Sequence, residues 1–194
     1  MRTARERLTA DEGFTLAEAI IYMMLLILVL GVVGSMLWSS QSVEAQVRSS
    51  TVATTEAQLA ARSVESGIRN SRAFAIVNVG DDQLLIARTA NTSDTVTWSC
   101  TYWYFSKANG SIRWTVMDEP VSGILPTPTA SQIATWGVLT DGLRQSGTTK
   151  PFTVGSATTQ LNIKFEAVAD GDVETVITSS ADSRAGKWEG APCF

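Results

Sequence analysis

Residues 11–31 read DEGFTLAEAIIYMMLLILVLG, and a single carboxylate, Glu18, stands inside a run that carries no other charge from Gly13 onward. The apolar character continues through residues 19–38, AIIYMMLLILVLGVVGSMLW, with Ser35 the one small polar interruption. As a helix rising 1.5 Å per residue, about 20 residues cover about 30 Å, the thickness of a bilayer's hydrocarbon core. Tyr22 and Trp38 lie near its two ends, where interfacial aromatics collect. The stretch predicts a transmembrane helix over 14–38, behind a leader of residues 1–13. A secretory signal peptide is the competing reading. Its apolar core is usually about 7–15 residues and precedes a small-residue cleavage site. Here the core is longer, and only SVEAQ at 42–46 offers a weak site. In the leader, Arg2, Arg5 and Arg7 are offset by Glu6, Asp11 and Glu12, so loop charge gives only a lean toward a cytoplasmic N-terminus.

Glu18 has two compatible readings. Thr15-Leu16-Ala17-Glu18 fits the capping box S/T-x-x-E, in which Thr15 caps the helix and Glu18 reaches back to the Thr15 amide. A carboxylate in the first turn also suits the helix dipole. Against this stands the cost of a carboxylate in a membrane segment, roughly 2.5–3.5 kcal/mol on insertion scales unless it finds a partner.

The whole string Gly13-Phe14-Thr15-Leu16-x-Glu18, followed by about 20 apolar residues, resembles the prepilin signature of type IV pilins and type II secretion pseudopilins. The resemblance implies that a membrane peptidase cuts after Gly13 and that the new terminal Phe14 is N-methylated. It implies further that Glu18 serves assembly, with a neighbouring subunit's Phe14 amine neutralising it in a packed helix bundle. One departure stands out. Many major pilins carry a proline midway along this helix, whereas the corresponding stretch here is Gly31-Val32-Val33-Gly34-Ser35. Gly31 and Ser35 form a small-xxx-small pair that permits close helix packing.

Past Trp38 the composition turns polar, yet residues 39–66 contain neither proline nor glycine. Val43, Val47, Ala57, Ala61, Val64 and Ile68 recur at helical spacing, and Glu44/Arg48 and Glu65/Arg69 are i,i+4 pairs in the favourable order. The spacing predicts an amphipathic helix over 39–72 that stops around 67–71. From residue 73 the pattern changes to period two. Residues 73–79 and 83–88 flank a turn at Gly80-Asp81-Asp82; Val96, Trp98, Cys100, Tyr102 and Tyr104 alternate; and Asn109-Gly110 marks a hairpin into Ile112, Trp114 and Val116. Leu161, Ile163 and Phe165, then 173–178, flank Asp170-Gly171, a second hairpin. Residues 120–128 read as a loop, and 132–142 fit neither period. The expected fold is α+β and pilin-like: a long N-terminal helix, transmembrane then amphipathic, packed on an antiparallel sheet domain over 73–194. The late segments VLTDGLRQSG and TSSADSRAG faintly resemble larger minor pilins of the J-pseudopilin type.

Chemistry is sparse. Histidine is absent, which excludes Ser-His, Cys-His and histidine-zinc sites. The net charge of −4 leaves no footprint for nucleic acid as a main ligand. No phosphate loop or catalytic triad is visible, and neither an enzyme nor a cofactor or metal is expected. Asp170-Gly171-Asp172-Val173-Glu174 lacks full calcium-loop spacing and reads as a turn. Cys100 and Cys193 have no CxxC spacing. Outside the cytoplasm they favour one long-range disulfide that ties down the terminal WEGAPCF; two separate buried thiols are the alternative. Trp98, Trp103, Trp114, Trp136 and Trp188 serve either core packing or a carbohydrate- or partner-binding surface. With the resemblance, the expected partners are other pilin subunits, a prepilin peptidase and the lipid bilayer. The expected location is the cytoplasmic membrane with the β-rich part outside, then a pilus or pseudopilus. The rival from another class is a single-pass anchored extracellular binding module that never polymerises.

Overall fold

A computed structural model of the chain describes residues 15–92, 96–118, 128–169, 174–184 and 193. It forms two compact units, residues 1–45 and 46–194. One helix, α1 (Leu16–Asn70), contributes to both. In the first unit every large apolar side chain of α1 is exposed. In the polar stretch that follows, hydroxyls turn back onto the helix's own carbonyls. Ser42 Oγ donates to the Ser39 carbonyl at 2.8 Å, Thr51 Oγ1 to that of Val47 and Thr55 Oγ1 to that of Thr51, both at 2.7 Å.

The second unit builds its core on the end of α1. Ala57, Ala60, Ala61, Val64 and Ile68 are buried, the expected stripe with Ala60 added. Val43 and Val47, assigned to the same stripe, are more than half exposed, because the core first meets the helix at Ala57. Of the two expected ion pairs, Glu65–Arg69 closes at 3.3 Å, while among the described residues Glu44 and Arg48 form none.

Two antiparallel sheets complete the core. The first runs in sequence order: β1 (Ser71–Val79), β2 (Asp82–Thr92), β3 (Val96–Ser106), β4 (Ser111–Asp118) and β5 (Gly137–Thr140). The helix α2 (Ala130–Ala134) precedes β5, so the segment that fitted neither period is a short capped helix and a strand. The second sheet comprises β6 (Leu143–Gln145), β7 (Phe152–Val154), β8 (Gln160–Val168) and β9 (Glu174–Asp182). β9 pairs β8 along its length, so β6 and β7 share the other edge of β8. The predicted hairpins form: β1 turns into β2 at Gly80-Asp81, and β3 into β4 at 107–110, where Gly110 takes φ 58°. Residues 119–127 and 170–173 lie outside the described residues, and with them most of the expected loop and the Asp-Gly turn.

Alternation along β2 and β3 buries both faces of the first sheet. Leu85, Ala87, Trp103 and Phe105 face α1 and the second sheet; Leu84, Ile86, Cys100, Tyr102 and Tyr104 face α2. The sheets are tied together by Gln83, which is almost fully buried. Its amide donates to the Phe152 carbonyl at 3.1 Å and accepts from the Phe152 N–H at 2.9 Å, replacing a strand's pair of bonds with one side chain. The end of α1 is capped by the chain that leaves β9: Arg184 Nε donates to the Arg69 carbonyl at 3.2 Å, and Arg184 N to that of Ser71 at 3.0 Å.

Gly67, expected near the helix stop, lies inside the last turn and serves packing. A Cβ there would sit 2.2 Å from Cη2 of the buried Trp103. Alanine would gain about 1 kcal/mol in helix propensity, but displacing a buried indole costs about 1–3 kcal/mol. With so short an approach the upper figure applies. Gly67→Ala is therefore expected to destabilise the fold by about 2 kcal/mol net, read as a lowered unfolding midpoint of the full chain in detergent. Trp103→Phe should cost less when combined with Gly67→Ala than on its own.

Candidate functional site

The α1 helix starts at Leu16, immediately after Thr15. The Glu18 N–H reaches the Thr15 hydroxyl at 3.3 Å and its carbonyl at 3.0 Å, and Ala19 N–H reaches the same carbonyl at 3.2 Å. Thr15 thus satisfies amides that a helix start leaves open, the first half of the expected capping box, while the return bond from the Thr15 amide to Glu18 does not form. The Glu18 carboxylate extends forward along the helix and accepts from the Tyr22 hydroxyl, one turn on, at 3.2 Å. Tyr22, read from the sequence as an interfacial aromatic, is thereby also a partner for the glutamate. Spacing i,i+4 on a helix was the signal available for it.

The result is an exposed carboxylate on the first turn of an apolar helix. A carboxylate has about four lone-pair sites, and one phenol hydrogen bond neither fills them nor cancels the charge. The arrangement can accept a cation or further donors from outside the chain. Gly13 and Phe14, the expected cleavage and methylation positions, lie outside the described residues. Downstream, 18 or more residues of α1 are long and apolar enough to cross a membrane, and none of that window is buried within the chain. Gly31 and Gly34 have open space around their Cα atoms.

The two cysteines are joined. Cys100 on β3 and Cys193 form a disulfide with their Cα atoms 5.6 Å apart, and both are fully buried. The bond sits in the smaller of the two cores, with Leu84, Ile86, Tyr102, Tyr104, Ile133 and Trp136. α2 is held there by a complete capping box between Thr129 and Gln132, and Trp136 packs on Tyr102 with ring centroids 5.8 Å apart. Burial pushes the phenols of Tyr102 and Tyr104 up to about 12; the Tyr104 hydroxyl also donates to Asp82 at 2.5 Å, which holds its proton. The Tyr102 hydroxyl and the Trp103 indole N–H are buried without a partner among the described residues.

The tryptophans do not make one binding surface. Trp103 and Trp136 are buried in different cores, Trp98 lies under the Arg88 guanidinium 4.1 Å from its ring centre, and Trp114 is 40% exposed. Trp188 is outside the described residues. Among the described residues no group of three or more potential metal ligands comes together.

Comparison with known proteins returned no matching family model, no matching curated protein and no matching solved structure.

The disulfide closes a loop with a sequence separation of 93, which corresponds to about 4–5 kcal/mol in the chain-entropy model, with measured values commonly 2–4. Cys193→Ser should lower the unfolding midpoint of the full chain. Adding reductant should lower that of the wild type toward the same value and leave the variant unmoved. Ready alkylation of both thiols in freshly extracted wild type would contradict the bond.

Proposed function

We propose that the chain is a structural subunit of the prepilin type: a minor pilin or pseudopilin, anchored by α1, processed by a prepilin peptidase and assembled into a type IV pilus-like filament. The observation that carries this reading is an apolar helix segment with no burial inside its own chain, whose first turn exposes Glu18 directly after Gly13-Phe14. Such a segment needs lipid or other helices around it, and among the described residues no cation meets its carboxylate. Cleavage after Gly13 creates one, the Phe14 amine, which a neighbouring subunit presents to Glu18. The second half of α1, packed on antiparallel sheets, agrees with a pilin-like layout. A disulfide agrees with a β-rich unit outside the cytoplasm.

A second reading, the anchored binding module that never polymerises, is favoured by one contact. Tyr22 gives Glu18 a partner within its own helix, so cap and anchor alone could account for it.

Two measurements separate them. Co-expression with a prepilin peptidase should yield a chain beginning at N-methylated Phe14, and Gly13→Val should block that cut. A terminus at Met1 or near Gln46 would speak for the second reading. Glu18→Val should keep or improve membrane insertion, since the desolvation cost disappears, while incorporation into filaments or pilin complexes falls sharply. Equal assembly would leave Glu18 as a helix cap.

A further inference from the structure

The outer edge of β9 runs beside a groove whose other wall is α1. β8 occupies one edge of β9 along its length, in register from Gln160–Asp182 to Val168–Glu174. Which groups point the other way follows from the far side of β8. There the Gln160 carbonyl accepts from Gly155 at 2.7 Å, while Lys164 and Val168 donate their N–H groups to Pro151 and Gly142 at 2.9 and 2.8 Å. Even-numbered residues of β8 therefore turn their polar groups away from β9, and odd-numbered ones face it. Their registered partners Thr175, Ile177, Ser179 and Ala181 return both bonds. Val176, Thr178 and Ser180 thus direct N–H and C=O outward, and among the described residues nothing pairs with them.

Exposed edges are ordinarily blunted by charge, proline or a bulge. Residues 175–180, TVITSS, have no charge and no proline, and keep an unbroken register. The groove alongside has a volume of about 350 Å³ and touches every residue from 175 to 179. Successive side chains of a strand point to opposite faces, so a groove touching five in a row follows the strand's edge. Its other wall is α1, through Gln58, Arg62 and Glu65. Glu65 is engaged by Arg69 and by the Ser179 hydroxyl. Arg62 is exposed and has no ion pair among the described residues.

We propose that this groove is a strand-addition site. An extended segment of another polypeptide pairs with β9 through Val176, Thr178 and Ser180 and carries an acidic side chain that meets Arg62. Main-chain bonds supply the affinity in this mode of recognition, and side chains at alternate positions supply the choice of partner. The carboxylate follows from charge complementarity, because among the described residues Arg62 is the one unmatched charge on the walls. The uncharged, β-branched flank of β9 favours small or β-branched neighbours across the new pair. All these residues lie in the 46–194 unit, so the inference stands apart from the fate of Gly13 and Phe14.

The full chain in lipid nanodiscs is titrated into a labelled peptide of alternating threonine and valine with one central glutamate, followed by fluorescence anisotropy. Saturable binding is expected. Thr178→Pro removes an outward N–H that β8 does not use and should weaken binding at least about tenfold, whereas Thr178→Ala should bind like wild type. Arg62→Glu, a surface change that leaves the edge intact, should weaken binding several-fold and recover on a peptide with lysine in place of glutamate. No saturable binding by wild type, or equal binding by wild type, Thr178→Pro and Arg62→Glu, overturns the proposal. Chains that associate with one another and exclude the peptide, in a manner abolished by Thr178→Pro, overturn it too by giving the edge to a second copy.

Discussion

The fold depends on how closely the end of α1 approaches the sheets. Ala57, Ala60, Ala61 and Gly67 have almost no side chain to hold the helix away, and Trp103 fills the space that Gly67 leaves. Close packing of this sort lets one helix contact both sheets, so that Phe105, Ile112, Phe152 and Phe165 share a single core with it. A bulkier stripe would separate the layers and with them the two strands that Gln83 holds at bonding distance. The same continuous helix has the opposite composition earlier. Its leucines, isoleucines and methionines are large and exposed. Small residues thus mark where α1 meets its own chain, and large ones where it meets something else.

Much of this was legible in the sequence because period and punctuation agreed. Apolar run, helical stripe and the turns at Gly80 and Gly110 each had a local signal, and each element formed. What escaped depended on tertiary context. Gly67 read as a stop, since the indole it accommodates comes from a strand 36 positions later. Gln83 looked like an ordinary polar strand residue, for nothing local reveals that its amide substitutes for a missing strand. β6 and β7 are three residues each, too short for alternation to register. Val43 and Val47 fitted the stripe by spacing alone, and spacing does not say where a domain ends. At the candidate site, Thr15 was readable as a cap because capping is local chemistry; Glu18's turn toward Tyr22 needed coordinates.

Capping and the assembly role proposed above would place compatible demands on Glu18. A first-turn carboxylate interacts favourably with the helix dipole, which lessens the cost of carrying it into an apolar segment. The Tyr22 hydroxyl lessens it further while leaving acceptor capacity. A fully satisfied carboxylate would have no reason to recruit a partner, and one with no support would oppose insertion. In the subunit proposed above, partial satisfaction would reconcile an anchor that inserts with a group that recruits a cation.

The disulfide also decides how the domain answers tension. Pull between α1 and any point beyond Cys193, and force passes from β3 straight through the sulfur bridge. The 93-residue separation it spans, roughly 300 Å of chain if drawn out, is shielded. Only the stretch from Ser71 to Cys100, essentially β1, β2 and the start of β3, lies in the load path. The second sheet, α2 and β4 through β5 can be left hanging from the bridge without lengthening the molecule. A domain built this way has little slack to release, and it stays short when pulled.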